Sequence, residues 1–102
     1  MKQFNVVISA RATSDMGSHV SFLAKVSTSA AKKLAQDFRI AAESLERLPL
    51  RNPFLTGEYL PQNKYRYLIF AKRYLLIYQI KNDTVFVDYV LDCRQDYGWL
   101  LN

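Results

Sequence analysis

The run from Lys64 to Cys93, KYRYLIFAKRYLLIYQIKNDTVFVDYVLDC, constrains the fold of this chain more than any other stretch. It is dense in β-branched and aromatic residues, which favour a pleated, half-buried surface. Two short interruptions divide it, one at Ala71 to Arg73 and one at Lys81-Asn82-Asp83, the second being a strong hairpin signal. Strands are therefore expected over residues 65–70, 74–80 and 84–91, joined by tight turns. Between Lys64 and Lys81 there are five basic residues (Lys64, Arg66, Lys72, Arg73, Lys81) and no acid. Five aromatics, Tyr65, Tyr67, Phe70, Tyr74 and Tyr78, are interleaved with them. A sheet that is apolar on one face and basic along its rim suits an anionic or acidic partner.

The N-terminal half reads differently. Residues 2–8 run from alternating to apolar and predict a short strand, after which Ser9 is placed to cap a helix. Ala12, Met16, Val20 and Leu23 then share one helical face, although Gly17 and several serines make this a mediocre helix by propensity. The second helix is the clearest element. Thr28 is placed to cap it, Ala31, Leu34, Phe38, Ala41, Leu45 and Leu48 form one apolar stripe, and Pro49 stops it. The joint around Ser27 to Ser29 is short, so the two helices form an antiparallel hairpin. Residues 49–63, punctuated by Pro49, Pro53, Gly57 and Pro61, read as an irregular connection. The expected order is β-α-α-β-β-β. This is an α+β fold in which a small twisted antiparallel sheet carries the helical hairpin on one face.

A length of 102 residues holds one domain, residues 1–102, and half of the residues are apolar, enough for a core without disulfides or metal. The net charge of +5, from 14 basic and 9 acidic residues, is spread over both halves and fits nucleic acid, an acidic protein or solubility alone. Cys93 is the only cysteine, so no intrachain disulfide can form, which suits a reducing compartment. No apolar run approaches a bilayer span and MKQFNVVIS is too short and polar for a secretory signal, so a soluble cytoplasmic protein without membrane association is expected. One histidine, His19, and one cysteine far from it make no metal motif, and three glycines make no phosphate loop, so neither metal nor cofactor is expected. What remains is arginine and tyrosine. Arg66, Arg73 and Arg94, with Tyr97, have the chemistry to surround a phosphate. The plainer reading makes Arg66 and Arg73 solvated rim residues and packs Tyr97 on Trp99 or the helices.

Taken together, FNVVISARATSDM, SAAKKLAQDFRIAAESLERLP and YRYLIFAKRYLLIYQIKNDTVFVDYVLDCRQDY resemble, in order and spacing, the RelE/ParE superfamily of toxins from type II toxin–antitoxin pairs. The resemblance covers nearly the whole chain and implies the same β-α-α-β-β-β arrangement. It also implies a cognate antitoxin as partner. Two activities occur in the superfamily: RelE-like members cleave mRNA in the ribosome, and ParE-like members poison DNA gyrase.

Laid without gaps on a RelE-type hairpin, Arg66 falls where a catalytic lysine is expected. Leu68 falls where a second lysine belongs and Leu75 where an arginine belongs. Leucine donates no hydrogen bond to a phosphate, so both positions are chemically silent. If the chain were RelE-like, Arg66, Arg73, Arg94 and Tyr97 would be its catalytic residues. The tail VLDCRQDYGWLL is closer to the ParE pattern of a last strand followed by Arg, any residue, Asp and an aromatic, departing from it at Asp92, where a histidine is common. The reading is therefore a ParE-like toxin that inhibits DNA gyrase by binding, with Arg94, Asp96, Tyr97 and Trp99 as target contacts. The alternatives are a RelE-like endoribonuclease acting on ribosome and mRNA, and a degenerate toxin that retains only antitoxin binding. In the tail, Arg94 is suited to a bidentate carboxylate pair, for which Asp96 is close in sequence. Trp99, Leu100 and Leu101 are equally suited to covering the helical hairpin.

Overall fold

A computed structural model of the protein describes residues 3–94. Within them the order is β1 (Asn5–Ile8), α1 (Ala10–Ala24), α2 (Thr28–Ser44), β2 (Tyr65–Phe70), β3 (Tyr74–Lys81) and β4 (Thr84–Asp92), with a short 3-10 turn at Pro49–Arg51. The strands lie in the order β1-β4-β3-β2. Strands β2, β3 and β4 form an antiparallel meander, whereas β1 lies parallel to β4, with Asn5 opposite Thr84 and Ile8 opposite Val87. The sheet is thus mixed and not antiparallel throughout. The reason is one of parity. The helical hairpin goes out and returns, so α2 ends where β1 began, and the Phe4 N–H donates to the Glu46 carbonyl there at 2.8 Å. Strand β2 starts from that same end, and the two reversals that follow leave β4 running in the direction of β1.

Ser9 fixes the corner between β1 and α1. Its Oγ accepts the Ala12 N–H at 2.9 Å as an N-cap and donates to the Asp88 carbonyl at 3.1 Å, while its own N–H donates to the Val87 carbonyl at 2.9 Å. The cap of α2 is Ser27, one residue before the expected Thr28, its Oγ accepting the Ala30 N–H at 3.1 Å. Helix α2 also ends earlier than Pro49. It closes at Ser44, whose hydroxyl donates back to the Ala41 carbonyl at 2.6 Å, and Leu48, preceding a proline, is held out of the helical region. Leu45 accordingly completes the buried stripe, and Leu48 lies outside it, 45% exposed.

The sheet is covered on both faces. Against the helices, Met16, Leu34 and Leu45 pack on Tyr74, Leu76, Tyr78, Val85, Val87 and Val90. Phe38 is half-buried at the margin of this layer, its ring 5.8 Å from that of Phe70. On the opposite face, Leu75, Ile77 and Leu91 are buried under Leu55 from the connection, with Leu60, Tyr65, Tyr67, Tyr89 and Cys93 around them. Strand β3 is therefore buried on both sides. In β4 the alternation is interrupted by a bulge: Ile77 faces Tyr89 but Tyr78 faces Val87, leaving Asp88 as the extra residue. That one-residue step lets Val87 and Val90 both point at the helices.

Candidate functional site

The sequence-selected arginines divide into two groups. Arg66 lies directly across from Tyr78 in the β2–β3 ladder, and both reach to the connection that follows α2. The Arg66 Nη1 donates to the Asn52 carbonyl at 2.5 Å and to the Leu50 carbonyl at 3.2 Å, and its guanidinium lies 3.9 Å from the centre of the Phe54 ring. The Tyr78 hydroxyl, fully buried, donates to the Pro49 carbonyl at 2.5 Å and accepts from Asn52 Nδ2 at 3.1 Å. Burial raises the pKa of Tyr78, with the Asn52 donor and the Arg66 and Arg51 charges opposing that shift. In this geometry Arg66 and Tyr78 form a latch that holds residues 49–54 against the sheet edge. The sequence marked Tyr78 only as one aromatic among five, because nothing in its local pattern reveals a hydroxyl partner 29 residues away.

Arg73 and Arg94 both lie at the other end of the sheet. The turn Ala71–Arg73 closes between the paired residues Phe70 and Tyr74, and Ala71 and Lys72 adopt φ of 49° and 70°. Two successive non-glycine residues in the left-handed region cost roughly 1–2 kcal/mol each. The Cys93 N–H donates to the Arg73 carbonyl at 2.7 Å, which pins this turn to the end of β4.

Just beyond, Asp92 is buried and Arg94 folds back on it. Arg94 Nε donates to Oδ1 at 3.1 Å, Nη2 donates to Oδ2 at 2.8 Å, and the Arg94 backbone N–H donates to Oδ1 at 2.9 Å. The Arg94 side-chain hydrogen bonds hold the Asp92 carboxyl below its ordinary value against the opposing effect of burial, and the same pair raises Arg94. The bidentate partner of Arg94 is therefore Asp92, a residue singled out in the sequence only for departing from the usual histidine. Asp96, Tyr97 and Trp99, expected as target contacts, lie outside the described residues.

His19 approaches this end from α1. Its Nε2 donates to the Val90 carbonyl at 2.8 Å, which fixes the hydrogen on that nitrogen because a carbonyl only accepts. One Asp15 carboxylate oxygen accepts the Val90 N–H at 3.0 Å and the other pairs with Arg11. Two helix side chains thus satisfy the β4 backbone beyond the point where β1 stops. His19 also packs on Tyr74, ring centres 5.1 Å apart, on the helical side of the sheet, whereas Cys93 joins the opposite cluster. The two residues do not form a pair.

Leu68 packs against the helical layer and Leu75 is buried with Leu55, Ile77 and Leu91 on the opposite face. The two positions that would carry cations in a RelE-type hairpin therefore serve two different apolar clusters. Among the described residues no helix is long and apolar enough to cross a membrane, and no group of three His, Cys, Asp or Glu side chains could hold a metal.

Against known proteins, residues 6–97 match the family described as ParE toxin of type II toxin–antitoxin system, parDE. Among solved structures, the fold is similar to a chain of the chromosomal ParDE toxin–antitoxin system from P. aeruginosa, at 12% identity and a TM-score of 0.70, covering 88% of this chain and 96% of that one. No curated protein sequence matches this chain. The continuous match through β1, the helical hairpin, the meander and the start of the tail makes this chain a member of the ParE toxin family of type II toxin–antitoxin systems.

Proposed function

We propose that this ParE-family chain acts in the cytoplasm by binding, that its target is DNA gyrase, and that a cognate antitoxin neutralises it. One observation carries the reading: Leu68 and Leu75 are packed in apolar clusters where ribosome-dependent cleavage requires cations. Arg66 supports it as well, since its Nη1 is engaged by the Leu50 and Asn52 carbonyls and its guanidinium lies on the Phe54 ring. Target contact falls to Arg94, Asp96, Tyr97 and Trp99, a basic residue, an acid and two large aromatics of the kind that dominate interfaces. The Asp92 clamp holds Arg94 at the end of β4, through its backbone N–H and its guanidinium.

The RelE-like alternative rests on the tie between Cys93 and Arg73, which brings Arg73 and Arg94 to one end of the sheet. A gyrase supercoiling assay separates the two. The purified chain inhibits supercoiling of relaxed plasmid, and a chain ending at Arg94 folds with an unchanged circular dichroism spectrum and does not inhibit. On programmed ribosomes the message stays intact. Cleavage in the decoding site that is lost in Tyr97→Phe would establish the RelE-like activity instead. A folded chain that binds its antitoxin and has neither effect would be a degenerate toxin.

A further inference from the structure

The surface between the start of α2 and the β2–β3 turn carries a hollow of about 330 Å³. Its floor is apolar: Leu23 from the end of α1, Ala30 and Leu34 from α2, and Tyr74 from β3. Its rim is cationic: Lys33 on the helix, Lys72 and Arg73 on the turn. Lys33 is compensated by Asp37 at 3.0 Å, and no carboxylate among the described residues lining the hollow faces Lys72 and Arg73. Three other hollows along α2 differ in this respect: the one at Lys32, Gln36 and Arg39 is cationic but has only Ala35 as apolar lining. The one at Val6, Ile8 and Phe38 has Arg39 beside Glu43 and Glu46, and the one at Ile40 and Ile69 has Asp37 opposite Arg51. Of these four, one combines an apolar floor with a positive rim that no carboxylate among the described residues lining it offsets.

The turn that bears the rim is also held in place. Ala71 and Lys72 adopt left-handed conformations that a glycine would occupy without strain, and the Cys93 N–H fastens the Arg73 carbonyl to the end of β4. The two cations are thereby presented on a fixed backbone, so little chain entropy remains to be lost when they are engaged.

We propose that this hollow seats an acidic, amphipathic segment of the neutralising partner. A bulky apolar side chain enters between Leu23, Leu34 and Tyr74, and flanking carboxylates meet Lys72 and Arg73. The proposal rests on the toxin–antitoxin reading and adds the place and chemistry of the contact. Its occupant follows from charge complementarity, since the apolar floor fits any large side chain but the rim rejects a basic one.

The test titrates the whole chain, by calorimetry, with the purified product of the adjacent reading frame. Lys72→Asp combined with Arg73→Glu reverses the rim; aspartate is chosen because it visits the left-handed region readily. Ala30→Trp fills the floor. Lys32→Glu combined with Arg39→Glu makes the same charge change on exposed α2 positions outside the hollow. The rim reversal and Ala30→Trp each weaken binding by more than about tenfold, and the control pair by less than about threefold. Melting temperatures near that of the parent chain confirm that the variants are folded.

Rim and control pairs of equal effect would show general electrostatics and overturn the hollow while leaving the toxin–antitoxin reading intact. Unchanged binding by Ala30→Trp would overturn it too. So would a dimer of the chain alone that Ala30→Trp dissociates, because the occupant would then be a second copy. If the parent chain forms no complex, the toxin–antitoxin reading fails and the proposal with it.

Discussion

Asp92 is a buried carboxylate whose ionised form is stabilised chiefly by one guanidinium, that of Arg94. Its pKa is lower in the folded chain than in the unfolded one, so the folded state binds fewer protons there in the acidic range. The resulting stability is fully present above the unfolded value of 3.8 and is lost as pH falls through the depressed folded value. Urea midpoints followed from pH 7 to pH 3 should therefore fall less steeply in Asp92→Asn than in the parent chain below about pH 4. Equal slopes would mean that the clamp makes no net contribution to folding. Asp92 was legible in the sequence only as an anomaly, while its partner Arg94 was legible as a cation with an unknown carboxylate. Residue type predicted that a pair forms; only the turn at the end of β4 decides that Asp92 is the one within reach.

At the scale of elements, the periodic segments were readable and the aperiodic ones were not. Strands β2, β3 and β4 follow from β-branched and aromatic density between turn signals and both helices from a period of 3.6, with β3 and β4 each running one residue beyond the expected limits. The end of α2 was misread because Pro49 is an obvious stop, whereas the earlier stop at Ser44 depends on a side chain returning to its own helix. The parallel pairing of β1 followed in principle from counting reversals of chain direction, but no residue pattern within β1 announces it. The connection after α2 carries no period, so its role in covering the second face through Leu55 and Leu60 was invisible.

The β2–β3 turn is the most strained element described. Ala71→Gly should leave stability unchanged or raise it by up to about 1 kcal/mol, relief of the left-handed strain being partly offset by greater freedom in the unfolded chain. Ala71→Val should lower it by more than about 1 kcal/mol, because a β-branched residue is a true outlier at φ of 49°. Urea unfolding measures both, and a Val variant as stable as the Gly variant would refute the turn conformation.

The whole molecule is organised around β3, which separates two apolar clusters and belongs to both. Damage to either cluster should therefore be felt as loss of the single domain. Leu34→Asp places a charge under the helices, and Leu75→Arg places one beneath Leu55; an unpaired buried ion costs several kcal/mol, out of about 5–15 kcal/mol for a typical domain. Both variants should unfold in one transition at much lower urea than the parent, followed by circular dichroism. A stable Leu75→Arg chain would remove the packing argument against cations at that position.

The same architecture gives the Val90 amide a divided allegiance. It sits in β4, yet its hydrogen is held by a helix carboxylate, and the neighbouring carbonyl by a helix imidazole. In the language of cooperative folding units, one edge of this stretch is insured by α1 where β1 has ended, while β3 pairs the other edge. A fluctuation that lifts the helix away uncovers the strand there without unzipping the sheet, so the central β4 has a local opening route of its own.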